Sequence, residues 1–334
     1  MSCIFDDSFL YSSRFLSLSL HLLTSLEIPI HLFGVYLIYT KTPKTMNSAK
    51  NSIMQLHIAC SLMDLYITFF LVLYFWIPIS GGIPVGFLTY LGVPSAVQIY
   101  IFYNIEAAVA LTYVAFFENR YDVVVIGQIG RSSSRNTKRM VYFGVNAFLC
   151  VADLAYAFSK LPEAEWTKEL LRKNYPCIPE SLVNDPMYFN LNMGGDPIFP
   201  YLISGLVVFV FVQGSYFVIY TTYHLFFTVR NVSTVTQQLQ KKFFIAMTLQ
   251  AFVPLIAFAG PMFYWQFAWR LDYLNQMYNN LAMIALGFNG LLTTIVMTIV
   301  HAPYRKAVSE MIGRGGEAMR NSRLFTKIPS RVIN

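Results

Sequence analysis

Long apolar runs separated by short polar segments dominate the chain. The first covers residues 17–39 and the second 54–77, closed by Pro78; the others occupy 95–117, 141–159, 198–227, 243–267 and 277–300. A helix needs ~20 apolar residues to cross a ~30 Å hydrocarbon layer, whereas apolar strands of water-soluble proteins stop after about 4–8. Unpaired backbone groups are too costly in lipid for loops, so each run is expected to be helical. The pattern predicts an all-α membrane protein built as a seven-transmembrane helix bundle (residues 17–303). The first run is too long for a signal-peptide core and has no small-residue cleavage site, so it is expected to stay as a membrane anchor.

The connections set the orientation. Alternate loops and the C-terminal segment hold 18 of the 24 Lys and Arg residues, and that side is expected to be cytosolic. Seven spans then place residues 1–16 outside and 304–334 inside. From Tyr304 to Gly313, Tyr304, Ala307, Val308, Met311 and Ile312 share one helical face, with Arg305, Lys306, Ser309 and Glu310 opposite. That spacing predicts a short amphipathic helix lying on the lipid surface. The long polar segment 160–197 has room for a hairpin or a short helix but not a second core.

Composition agrees with this class: 56% of residues are hydrophobic and only 12% charged, against about 25% charged in soluble domains. The net charge of +7 is spread over short loops, which points to membrane topology rather than to nucleic acid. Cys60 and Cys150 fall within apolar runs, while Cys3 and Cys177 fall in outside segments and are candidates for pairing. No metal-ligand spacing, HExxH or nucleophile elbow occurs, so neither an enzyme nor a cofactor is expected. Ser132–Ser134 beside Arg131 are candidate phosphorylation sites. The sequon Asn231-Val232-Ser233 lies on the cytosolic side, where glycosylation is not expected.

Polar residues inside the spans are the candidate chemistry. Asp64, Glu106 and Asn289 each lie about 10–11 residues, roughly 15 Å, up from the cytosolic side of helices two, three and seven. Buried acids face a bundle interior. A polar cluster at this depth is expected, acting either as a switch sensitive to protons or sodium or as structural glue. His57 and Ser61 share the face of Asp64. Glu27, one residue before Ile28-Pro29, and Asp153 are expected to be structural. Pro254 should kink helix six, with Gln250 one turn earlier, as a hinge or as a static bend. Tyr100, Tyr103, Tyr264, Trp265 and Trp269 are candidates for an outward-opening ligand pocket, the two tryptophans more for an interfacial belt.

Helix three ends in Glu118-Asn119-Arg120-Tyr121 and helix seven in His301-Ala302-Pro303-Tyr304-Arg305. Together with Pro29-x-His31-x-Phe33-Gly34-x-Tyr36, the Lys41-Thr42-Pro43 loop, Met46, Asp64, Gln250 and Pro254, these motifs resemble the nematode serpentine receptor class H family over nearly the whole chain. The resemblance implies a chemosensory G-protein-coupled receptor in the plasma membrane of sensory neuron cilia. Such a receptor binds an environmental small molecule and activates a heterotrimeric G protein. It further implies that Glu118 holds Arg120 at rest, and that Arg120, Tyr121, Pro303, Tyr304 and Arg305 face the G protein. Rhodopsin-like receptors pin an outer loop to the top of helix three by a disulfide. Here no cysteine stands at that position, so either Cys3 substitutes as the partner of Cys177 or the loop is unpinned. The alternative reading is a seven-helix transporter or ligand-gated channel that uses the intramembrane carboxylates.

Overall fold

The computed structural model describes residues 2–4, 6, 8–127, 133–191, 198–228 and 234–325. Arg131, Ser132, Pro197, Arg230, the Asn231-Val232-Ser233 sequon, Lys327 and Arg331 lie outside the described residues.

Among the described residues, seven helices are long and apolar enough to cross a membrane. They are α1 (Ser13–Lys41), α2 (Asn47–Leu65), α3 (Ser95–Tyr121), α4 (Arg135–Phe158), α5 (Ile198–Tyr223), α6 (Thr234–Arg270) and α7 (Gln276–Val300). Single π-helical turns extend α2 (Tyr66–Leu71), α3 (Asp122–Ile126) and α5 (His224–Thr228). α7 is interrupted at Phe288, between Gln276–Gly287 and Asn289–Val300. An eighth helix, α8 (Ala302–Phe325), follows directly. α3 is central, packing on α2, α4 and α5, while α7 packs on α2 and α6.

The helices bury by an inverted rule. On α1, Leu18, Leu22 and Leu26 form an exposed stripe at i, i+4 and i+8, suited to lipid. The opposite face buries Leu16, Leu20 and Leu23 but also Thr24, Glu27 and His31. Apolar residues therefore occupy both faces, and it is the polar ones that mark the interior. The α1 N-terminus is capped by the Ser12 hydroxyl, which accepts from Phe15 N at 3.1 Å. Pro29 lies inside α1; Pro254 and Pro261 lie inside α6.

Helix two differs from the sequence expectation. The span expected to reach Ile77 stops at Leu71, and Val72 turns left-handed (φ 42°). The apolar run continues as strand β2 (Leu73–Trp76), paired antiparallel with β3 (Gly81–Pro84), which pairs with β4 (Phe189–Asn190) from the long connection. Hydropathy does not distinguish a buried strand from a last helical turn, and Leu-Tyr-Phe-Trp suits a strand better. Gly82 makes the hairpin possible: a Cβ there would lie 2.2 Å from Tyr74 O. This small sheet covers one end of the bundle, with Trp76 and Tyr188 stacked at 5.9 Å and Phe75 and Phe189 at 6.4 Å.

The first turn of α7 anchors the cover. Gln276 donates to Phe75 O, Asn279 to Ile77 O and Asn280 to Leu10 O. Spacing of i, i+3 and i+4 places all three amides on one face. A second, parallel pair joins β1 (Ser2–Ile4) to β5 (Tyr273–Asn275). The long connection forms helices at Ala164–Asn174 and Glu180–Val183. Cys177 is disulfide-bonded, while Cys60 and Cys150 are free and buried.

Other boundaries are wider than hydropathy alone suggests. α4 begins at Arg135 rather than 141, and α6 spans Thr234–Arg270 rather than 243–267. Charged first and last turns lie outside the apolar window yet continue the helix. In α8, Tyr304 and Ala307 are buried, whereas Ile312 is 71% exposed.

Candidate functional site

Three groups of side chains stand at three depths. The first occupies the end of the bundle that carries most of the basic connections. Arg120 is 7% exposed and sits against α6: its Nε lies 3.0 Å from Met247 Sδ, and its guanidinium is 3.9 Å from the centre of the Phe243 ring. Among the described residues it makes no ion pair with a carboxylate. Phe243 also meets the His301 ring at 5.4 Å, and the His301 and Tyr304 rings are 5.6 Å apart. His301 Nε2 is 2.9 Å from Gln250 Oε1, and the Tyr304 hydroxyl is 2.8 Å from Thr42 Oγ1. A continuous chain of contacts thus joins α3, α6, α7, α8 and the end of α1.

Glu118 does not hold Arg120, contrary to the expectation from the motif. It pairs with Arg135 and Arg139 of α4, both at 2.7 Å, and Arg135 also meets Asp122 at 2.8 Å. The reason is helical geometry. Residues two apart point to nearly opposite sides, while Glu118 and Asp122, four apart, share a face. Tyr121 packs among Tyr216, Phe217 and Tyr220 of α5. Arg305 donates to Ile299 O at 2.7 Å and closes the last turn of α7, and Pro303 is half-buried in the first turn of α8.

The second group lies mid-bundle. Asp64 is 2% exposed and its Oδ1 accepts from Gly290 N at 2.9 Å. That approach requires glycine, because a Cβ at residue 290 would lie 2.4 Å from the carboxylate. Asp64 Oδ2 faces His31 Nε2 at 3.3 Å. Ligand atoms of Glu27, His31 and Asp64 all fall within 4.8 Å of one another. The Thr68 hydroxyl donates to Asp64 O at 2.8 Å and lies 3.1 Å from Glu27 Oε2, and His57 Nε2 is 2.9 Å from His31 O.

The cluster therefore joins α1, α2 and α7, rather than helices two, three and seven as equal depth suggested. Glu106 is half-buried on α3 and makes no hydrogen bond or ion pair with Asp64; the side-chain oxygen of Asn289 has no hydrogen-bond partner. Depth fixes height along the bundle but not direction around each helix. The overlooked signal was on α1, where Glu27 and His31 stand at i and i+4 on the face opposite its leucine stripe.

The third group lies toward the sheet-covered end. Tyr264 lines an open groove of about 650 Å³ with Phe267, Leu271, Tyr273 and Tyr278, between α6, β5 and α7. Tyr100 and Tyr103 are not part of it. Their rings pack on Phe158 of α4 at 5.2 and 5.9 Å. Trp265 packs edge-on to Phe75, and Trp269 is more than half exposed.

Residues 11–314 match the family model described as "Serpentine type 7TM GPCR chemoreceptor Srh". Serpentine receptor class H-72 of Caenorhabditis elegans is 25% identical over 318 residues, covering 95% of this chain and 91% of that protein. Among solved structures, squid rhodopsin superposes with a TM-score of 0.53 at 13% identity, covering 98% of this chain and 97% of the other. That likeness shows the seven-helix fold.

Proposed function

This chain belongs to the Srh family of serpentine seven-transmembrane chemoreceptors, and we propose that it detects an environmental small molecule and activates a heterotrimeric G protein. The observation that carries this reading is Arg120, buried against Phe243 and Met247 of α6 with no carboxylate holding it among the described residues. A guanidinium restrained by an aromatic face and a thioether is released when α6 moves outward, and its fork of donors then suits the backbone carbonyls of a G-protein tail. Gln250 and Pro254 form the hinge: Pro254 removes a backbone donor inside α6, and Gln250 ties that turn to His301 of α7. Tyr304, Pro303 and Arg305 maintain the junction with α8, while Glu118 keeps α3 against α4.

The ligand site in this reading is the aromatic groove around Tyr264, next to the hinge helix. Five aromatic or apolar side chains suit a small, largely apolar molecule with one hydrogen-bonding group. The orientation places residues 1–16 and the sheet outside, and residues 304–334 in the cytosol; the basic loops support it. The location is the plasma membrane of sensory neuron cilia. Cys3 is the proposed partner of Cys177. Its backbone pairs with Leu274, and Tyr175 donates to Asp272 Oδ1 at 2.6 Å, which brings the Cys177 segment to the same strand. The Cys3 side chain itself is outside the described residues.

The test is a panel of volatile and water-soluble compounds on cells expressing the chain with a promiscuous Gα subunit. At least one compound is expected to evoke a calcium signal that Arg120→Ala abolishes at equal surface expression. A signal kept in full by Arg120→Ala would refute the role of Arg120.

A further inference from the structure

The Glu27, His31 and Asp64 cluster has hydrogen bonding that is incomplete in a specific way. The Thr294 hydroxyl gives its one proton to Gly290 O at 2.9 Å, so towards His31 Nδ1, 3.2 Å away, it is left to accept. That arrangement favours the proton on Nδ1, with the Nε2 lone pair turned toward Asp64 Oδ2, 3.3 Å away. Nε2 and Oδ2 then need a proton or a cation between them. Glu27 Oε1, His31 Nε2 and Asp64 Oδ2 are all buried without a hydrogen-bond partner, and Glu27 and Asp64 are 0% and 2% exposed. Two carboxylates this close in a low-dielectric surrounding must either hold protons or meet a positive charge.

We propose that Glu27 Oε1, His31 Nε2 and Asp64 Oδ2 bind one divalent transition-metal ion, with zinc as the fitting example and a water as the fourth ligand. The imidazole disfavours sodium, calcium and magnesium, which prefer all-oxygen shells. Zinc holds His nitrogen and carboxylate oxygen at about 2.0–2.2 Å, so ligand atoms of a tetrahedral site stand about 3.4 Å apart. The His31–Asp64 pair, at 3.3 Å, already has that separation, and with Glu27 included the three ligand atoms lie within 4.8 Å, so Glu27 closes in on binding. A +2 ion neutralises both carboxylates. Its outer partners are present: Thr294 on His31 Nδ1 and Gly290 N on Asp64 Oδ1. The metal would clamp α1 to α2 at their shared contact with α7. The inference stands independently of the receptor reading.

The test uses the full chain purified in lipid nanodiscs, dialysed without chelator, with metal content read by mass spectrometry. About one zinc per chain is expected, falling at least tenfold in His31→Gln and in Asp64→Asn and unchanged in His21→Gln. Thr294→Val, which removes the partner of Nδ1, is expected to weaken zinc binding about 10–100-fold. Because loss of a ligand also perturbs helix packing, the wild-type protein is in addition stripped and loaded with cobalt(II). Intense visible absorption bands of a four-coordinate site are expected. A metal-free protein with no such bands, zinc retained by both ligand variants, or stabilisation by sodium but not by zinc would each overturn the proposal.

Discussion

Glu118 and Arg120 stand two residues apart on α3 and do not touch: Glu118 is held by Arg135 and Arg139 at 2.7 Å, and Arg120 lies 3.9 Å from the Phe243 ring centre. The acid thus fastens α3 to α4, while the arginine faces the helix expected to move. One motif serves two interfaces because an offset of two residues separates its charged members around the helix.

Glu118→Gln removes one side of a buried charge pair. It is expected to cost about 3 kcal/mol of stability, read as a lower melting temperature in detergent. Arg139→Ala in the same background should add less than it does alone, because the Glu118–Arg139 pair is already lost and only the 3.6 Å approach of Arg139 to Asp122 remains. Equal, additive losses would show that the pair is not coupled.

Phe243→Leu keeps most of the apolar volume beside Arg120 but removes the ring face. A buried cation–π contact contributes about 1–2 kcal/mol, so the active population is expected to rise roughly five- to thirtyfold, seen as higher ligand-free signalling at equal surface level. Unchanged basal signalling would mean that this contact does not restrain the resting state.

Gly82→Ala places a methyl 2.2 Å from the Tyr74 carbonyl, where backbone must move. Destabilisation of about 1–3 kcal/mol or more is expected, with reduced monodisperse protein on fluorescence-detected gel filtration. Gly144→Ala, which meets nothing within 4 Å, is the matched control and should be neutral.

Cys3→Ser and Cys177→Ser are each expected to lower stability by about 2–4 kcal/mol, with the double variant no worse than either. Non-reducing peptide mapping should recover a linked pair of peptides carrying the two residues. Recovery of Cys3 as a free thiol would contradict the pairing.

The seven spans were legible because crossing lipid demands long apolar runs, and the run lengths alone separate them from strands. The end of α2 was not, since Leu73–Trp76 is as apolar as the helix before it and only its pairing with Gly81–Pro84 makes it a strand. Asp64 was legible as a buried acid by its depth, but its partners were not. Glu27 and His31 belong to another helix, and sequence gives no rotation between helices. His301 and Phe243 were similarly hidden: their place between Arg120, Gln250 and Tyr304 depends on how α6 packs on α7. Tyr100 and Tyr264 share a residue type and an expected level, yet α3 turns the former toward α4.

Coupling to a G protein through Arg120 is the central claim, and nucleotide exchange on a purified heterotrimer measures it most directly. With receptor in nanodiscs and an active compound from the panel, the wild-type chain should accelerate GTP-analogue uptake and Arg120→Ala should reduce that acceleration by at least tenfold. Acceleration by Arg120→Ala equal to wild type, at equal receptor and ligand occupancy, would contradict the account.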